Sequence, residues 1–493
     1  MPRNGKAYLD DIKSSPRDVR LLGATIADPA GHPAFRNTFK AYAGLYDFQC
    51  EPENLDLMTY ETPDTGKRVN RAWSMPRSYE ELVERRKAIE AWCELHYGYL
   101  GRSPDHVASS MAGLNMGIQV FRDYDARRAG ALEDYYRYAR DRDLFIAYTI
   151  INPQADKSKQ AHEQADEYLA LRLMDQDSEG IIVKGAKMLG TSCVMADEVW
   201  ISCIQPLVEG DEPYAMSCCV PMNAKGLRIL SRKSYEQNAH SRFDNPLSSQ
   251  FDENDAVLYF DEVEIPWERV FVLGDRAMCQ KQFFDTPCYA YQEYQAVIRF
   301  MVKLRFLIGV AKRTTEVNGT IRFPAVAETL GQISSEAASM EAFVNATEVL
   351  GTHTKYGYYV PDLNMISSAQ VLAQQLYPRL ITELRNLAGG GMIMLPSGVE
   401  DFLDEDQADW IYKTQKSPAV APYDRVKFFK MAWDAVGSEF ASRHTQYEMF
   451  YAGPTFVLRG HAFHSYDWAR ATGAVDRLLS SYSLEQEKIK ASQ

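Results

Sequence analysis

The chain has 493 residues, 46% hydrophobic and 12% aromatic, with a formal net charge of -13. That length asks for several packed domains or layers, and the apolar content excludes a disordered chain. An acidic balance with no clustered Lys/Arg stripe excludes a nucleic-acid partner.

Met1 to Lys6 is polar and leads into no apolar stretch, and nowhere do about 18 uncharged apolar residues run together, so a soluble, cytoplasmic protein with no membrane span is expected. Of the eight cysteines only Cys218 and Cys219 lie close, and such neighbours suit neither a disulfide framework nor a zinc knuckle. Reduced thiols and no metal site follow.

The first third reads as mostly helical. From Ser78 to Tyr97, Leu82, Val83, Ile89, Trp92 and Cys93 recur at helical spacing between charges. Gly101 to His106 comes next, where Pro104 breaks continuation and pushes Ser103 extended. This loop reads either as a simple turn with solvated Arg102 and His106, or as a fixed cation beside a proton acceptor, a pair suited to holding a phenol.

After Tyr148 the texture changes to short apolar runs broken by Gly, Asp, Pro and Asn, which is strand and turn punctuation. Ile181-Ile182-Val183, Val199-Trp200-Ile201 and Val257 to Phe260 are its strands. Tyr148 to Gln154 ends in Asn-Pro, and Gly185 to Ser192 is rich in small and hydroxyl residues; each reads as a turn or as a place where a flat ring approaches the backbone. Pro246 to Asp255 runs into a further strand that closes on Pro266-Trp267-Glu268-Arg269.

From about residue 290 the helical period returns, through Val297, Phe300, Met301, Leu304, Leu307, Ile308 and Ala311. A second such helix carries Leu372, Leu376, Leu380, Leu384 and Leu387 and stops at Gly389. Further on, Gly437 to His444 is helical, with Glu439 and Arg443 spaced to pair on the surface. Helices, then strands, then long helices predict a segregated α+β fold, with domains at 1–147, 148–277 and 278–493.

Taken together, these segments resemble the large component of the 4-hydroxyphenylacetate 3-monooxygenase family, from Gly5-Lys6-Ala7-Tyr8-Leu9 to about Tyr482. The specific blocks are Gly101 to Asp105, Pro246 to Ala256 with Pro266-Trp267-Glu268, Leu395-Pro396-Ser397, and Trp433 to Phe440 followed by Arg443-His444. The resemblance implies an acyl-CoA dehydrogenase-like fold whose C-terminal helical bundle assembles a homotetramer. It implies ortho-hydroxylation of a para-substituted phenol through a flavin hydroperoxide, with O2 and reduced FAD, or FMN, delivered by a separate NAD(P)H-flavin reductase. The absence of a strand-linked G-x-G-x-x-G agrees with a chain that binds no nicotinamide itself.

Arg102 matches the family arginine at the phenol oxygen. His106 stands where the 4-hydroxyphenylacetate enzymes carry tyrosine, and Tyr148 where they carry histidine, so the two types are exchanged. The resemblance places Tyr148, Thr149, Ile150, Asn152 and Gln154, with Lys187, Thr191 and Ser192, along the flavin ring, and Gly437, Ser438, Phe440, Arg443 and His444 over it. The loop from Tyr235 to Asp244, with His240, varies with substrate in the family. Candidate substrates are 4-hydroxyphenylacetate, p-coumarate, tyrosine and tyrosine-derived metabolites. The alternatives in the same fold are a flavoprotein dehydratase, for which the Cys-x-x-x-Cys is missing, and an acyl-CoA dehydrogenase.

Overall fold

The computed structural model describes residues 2–153 and 155–491. Helix Gly5–Ser14 begins where the Asn4 side chain accepts the Ala7 N–H, and Tyr79–Leu95 begins where Ser78 accepts the Glu81 N–H. Each cap satisfies a donor that the first turn leaves open. The buried face of Tyr79–Leu95 carries Leu82, Ile89, Trp92 and Cys93, in keeping with its spacing. Helix Pro104–Met116 opens on proline, which lacks an N–H the first turn does not need, and every residue in it is buried. It packs on Cys288–Asn318 and so forms the centre of the molecule.

Two sheets make the middle layer. The larger runs Ala24–Ile26, Asp18–Leu21, Leu227–Ser231, Ala256–Pro266, Gly180–Lys187, Arg172–Gln176. Two of its strands thus come from the N-terminal segment, where the sequence signals helices. The smaller runs Val270–Leu273, Met216–Pro221, Glu198–Ile201, Ile146–Thr149. Ile146–Thr149 lies parallel to Glu198–Ile201 with Tyr148 opposite Trp200, and all four of its residues are buried. A strand covered on both faces reads as a continuous apolar run rather than an alternation.

Cys288–Asn318, Pro324–Val349 and Leu363–Ala388 pack on one another. The first ends at Gly319 (φ 74°) and the third at Gly389 (φ 63°), positive angles that glycine adopts without a Cβ clash. All eight cysteines are free, and seven are buried. Helix Trp468–Leu479 has no buried residue, and Trp468, Val475, Leu478 and Leu479 on it are exposed. Among the described residues no helix is long and apolar enough to cross a membrane.

Candidate active site

Arg102 sits in the turn ahead of Pro104–Met116, and Glu253, just before strand Ala256–Pro266, fixes that turn. Glu253 Oε2 accepts the backbone N–H groups of Gly101 at 2.7 Å and Arg102 at 3.0 Å. Its Oε1 accepts from Arg443 at 2.5 Å, while Arg443 also donates twice to Asp255, at 2.6 and 2.9 Å. Glycine at position 101 leaves room for Tyr447, since a Cβ there would meet that ring and hydroxyl unless the tyrosine moved. Asp434 fixes the preceding segment, accepting from the Leu247 and Ser248 N–H groups at 2.8 Å each.

Held in this way, Arg102 donates to His106 Nε2 and reaches the Tyr451 carbonyl at 3.4 Å. Its guanidinium carbon lies 5.6 Å from the Tyr148 ring centre and 5.5 Å from that of Tyr451, within cation–π range. The His106 and Tyr148 rings are 5.9 Å apart. The three residues predicted for the phenol, Arg102, His106 and Tyr148, therefore meet.

Burial, with the charges of Arg102 and Arg299, holds the His106 imidazole well below its usual range, so it is neutral at pH 7. Because its Nε2 receives the guanidinium proton, the ring's own proton sits on Nδ1. Burial raises the Tyr148 phenol, which stays protonated, against the opposing pull of Arg102 and of the neighbouring Gln292 amide. Burial opposes the Arg102 charge, but Tyr447, Glu293 and Tyr148 around it outweigh that and keep it ionised.

The segments expected along the flavin come together beside this cluster through isolated bridges, Tyr148 to Thr191 and Ile151 to Met188. Thr149 Oγ1 donates to the Met188 carbonyl at 2.8 Å, Thr191 Oγ1 to Asp255 at 2.7 Å, and Ser192 Oγ shares a hydrogen bond with Tyr42 at 2.7 Å. Ile150 and Asn152 are half-buried, and among the described residues Asn152 Oδ1 has no hydrogen-bond partner. Lys187 points inward instead, donating to the Ser202 carbonyl at 3.0 Å. Gln154 lies outside the described residues.

The C-terminal group is divided. Gly437 and Ser438 form the turn into Glu439–Phe450, where Ser438 Oγ accepts the Ala441 N–H at 3.0 Å. Arg443 is taken up by Glu253 and Asp255, and Glu439 pairs with Lys233 at 2.6 Å, so the two do not pair with each other. Phe440 and His444 are buried, packed against Tyr99, and His444 Nδ1 meets Lys303 Nζ at 3.1 Å.

Two residues were not legible as site residues. Glu253 stood in a quoted block but had no visible role. Glu293, on Cys288–Asn318, lies in the field of both Arg102 and Tyr148. Its signal was available, because position 293 is four before Val297, so a carboxylate occupies the core-facing stripe.

The order of helices, paired sheets and long helices is an acyl-CoA dehydrogenase-like fold. Within it the chain belongs to the 4-hydroxyphenylacetate 3-hydroxylase family, whose N-terminal description matches residues 4–272 and whose C-terminal description matches 279–480. The 4-hydroxyphenylacetate 3-monooxygenase oxygenase component of Geobacillus sp. (strain PA-9) is 32% identical over 94% of both chains. The pyoverdin chromophore biosynthetic protein PvcC of Pseudomonas aeruginosa is also 32% identical, over 97% of this chain and 96% of its own. The crystal structure of an oxygenase component (HpaB) complexed with FAD and 4-hydroxyphenylacetate superposes with a TM-score of 0.92, at 30% identity and full coverage of both chains. An archaeal 4-hydroxybutyryl-CoA dehydratase, at 20% identity and a TM-score of 0.87, shares the fold alone.

Proposed function

We propose that the chain is the oxygenase component of a two-component, flavin-dependent monooxygenase, which places a hydroxyl group beside the phenol oxygen of a para-substituted phenol. The observation that carries this is Arg102, fixed by Glu253, with its guanidinium over the Tyr148 ring and against His106. A free phenol has a pKa of roughly 10 and is almost wholly neutral at pH 7. Electrophilic oxygen attacks the electron-rich phenolate more readily, so a fixed cation at the phenol oxygen favours the reacting form. Lowering that pKa by about three units takes about 4 kcal/mol of preference for the anion. The Tyr148 phenol stays protonated beside Arg102 and can donate to the same oxygen. His106, neutral and already engaged, orients the guanidinium.

The residues present fit a flavin. Tyr148 to Asn152 and Met188 to Ser192 form two stitched edges beside Arg102, and Asn152 Oδ1 is a buried acceptor with nothing to accept. Bound there as reduced FAD, the flavin supplies electrons and activated O2. Thr149, Ile150, Asn152, Thr191 and Ser192 hold the ring edge, and Gly437 and Ser438 close over it. A separate NAD(P)H-flavin reductase supplies the reduced cofactor, and the exposed apolar C-terminal helix joins copies of the chain into a homotetramer.

The test combines purified protein with FAD, NADH and a generic flavin reductase, and screens para-substituted phenols for a mass gain of one oxygen. Arg102→Ala is expected to abolish hydroxylation while hydrogen peroxide release continues. Equal loss of both activities would overturn the assignment.

A further inference from the structure

Arg443, Tyr447 and Tyr451 stand four residues apart along Glu439–Phe450 and its C-terminal cap, so they fall in one row on the helix surface. The row reads cation, ring, ring, and Arg102 completes it with a second cation. The Arg443 guanidinium carbon lies 4.5 Å from the Tyr447 ring centre. The Tyr447 and Tyr451 rings are stacked, 4.9 Å apart and 9° from parallel. Arg102 approaches the Tyr451 ring at 5.5 Å, and its Nη2 donates to the carbonyl of the same residue at 3.4 Å.

Both ends of the row return to one carboxylate. Glu253 accepts from the Arg443 side chain on Oε1 and from the Arg102 backbone N–H on Oε2. Tyr447 also lies against Gly101, the residue before Arg102. Backbone and side chain of Arg102 are therefore held by one closed circuit of contacts.

We propose that Tyr447 and Tyr451 are positioning residues for Arg102: the stacked pair fixes where the guanidinium stands, and does so without neutralising it. The proposal rests on the reading of Arg102 as the cation that meets the phenol oxygen, and it extends that site to a helix face in the C-terminal bundle.

A long arginine side chain loses much rotamer freedom when it is fixed, so its place must be secured by several contacts. A carboxylate at the position of the rings would hold the guanidinium strongly, but it would also take up the charge that a phenolate is to meet. An aromatic face attracts a cation within about 6 Å through its quadrupole and carries no net charge. Among the described residues Arg102 forms no ion pair, and the rings of Tyr148 and Tyr451 flank it at 5.6 and 5.5 Å. Arg299 also lies over the pair, 5.6 Å from Tyr447 and 5.1 Å from Tyr451, but Glu448 engages both of its terminal nitrogens. Of the two cations on the Tyr451 ring, Arg102 alone keeps its charge free for a ligand. The rings carry this role rather than the hydroxyls, since among the described residues the buried Tyr447 hydroxyl has no hydrogen-bond partner.

The experiment replaces Tyr451 with phenylalanine and then with its 4-fluoro, 3,5-difluoro and 3,4,5-trifluoro analogues, which keep the shape of the ring and drain its face of negative charge. Dissociation constants for 4-ethylphenol are measured without turnover, and the ratio of hydroxylated product to hydrogen peroxide is measured with it. Tyr451→Phe is expected to keep most of the wild-type affinity, the trifluoro ring to weaken it about fivefold in graded steps, and Tyr451→Leu to weaken it about tenfold. Product per peroxide is expected to fall in the same order. A flat fluorine series would overturn the proposal, because packing alone does not respond to the charge on the ring face, and so would a slope that persists in Arg102→Ala. The series decides the matter even if Tyr451→Leu fails to fold. Arg102→Ala separates the two levels: if it abolishes hydroxylation while the fluorine series is flat, only this proposal falls. If it leaves 4-ethylphenol binding and hydroxylation intact, or if wild-type protein hydroxylates no phenol, the parent reading falls with it.

Discussion

Glu253 links two cations that the chain places far apart, receiving the turn of Arg102 on one oxygen and the side chain of Arg443 on the other. Removing its charge weakens the acceptor of two backbone N–H groups and leaves the buried Arg443 with Asp255 as its one remaining acid. Glu253→Gln is expected to lower stability by about 3 kcal/mol, read from urea unfolding. It should also raise the peroxide released per hydroxylated phenol, because Arg102 then loses its fixed position. His106→Phe removes one hydrogen bond from Arg102 and is expected to lower hydroxylation about tenfold, or roughly 1.4 kcal/mol. Since the imidazole is held neutral, the wild-type pH profile should show no step near 6.5, and such a step would return His106 to the role of base. Residue type and spacing left Arg102, His106 and Tyr148 open between plain turn or strand residues and a phenol site; the family resemblance singled the three out, and the fold brings them together. Glu253 was not legible, because its work is to accept two N–H groups from a turn that only the folded sheet brings near, and local sequence carries no record of that.

At the level of elements, the helices Cys288–Asn318 and Glu439–Phe450 are joined by Glu448, which receives Arg299 and Lys303 with no exposure to water. Burial raises the Glu448 carboxyl, but the two cations outweigh it and hold it down at about 2. A carboxyl whose folded pKa is below its ordinary 4.5 adds stability above 4.5 and loses it as pH falls toward 2. Urea midpoints are therefore expected to fall over that window, and Glu448→Gln should flatten the fall while costing about 3 to 5 kcal/mol at pH 7. The long helices themselves were legible. Leu376, Leu380 and Leu384 lie on the buried face of Leu363–Ala388, and Gly389 ends it where the repeat stops, with Pro378 accommodated inside. The strands Asp18–Leu21 and Ala24–Ile26 were not, because short segments that complete a distant sheet carry too few alternations to stand out beside the helices around them.

For the molecule as a whole, the C-terminal surface is where the proposed homotetramer is tested. Trp468, Val475, Leu478 and Leu479 stand exposed on a helix with no buried residue, and Phe456 and Phe463 are exposed on the helix before it. Exposed large apolar side chains gathered on two successive helices are what the proposed homotetramer interface would cover. Val475→Glu combined with Leu478→Glu is expected to convert the assembly to smaller species by light scattering, and an unchanged mass would remove this helix from the interface. The order of layers was legible from the switch in hydrophobic period, whereas amphipathic spacing does not say which neighbour covers an apolar face, so the C-terminal assembly came from the resemblance alone.

The two halves of the family description, residues 4–272 and 279–480, do not each own a reaction centre. Arg102 and its Glu253 anchor belong to the first, while Arg443, Tyr451 and Glu293 belong to the second. A protease cut between the halves would leave neither fragment with a working cleft, and activity would return only if the pieces docked again in register. On the proposed site, catalysis would depend on both halves packed together rather than on any segment that could be transplanted.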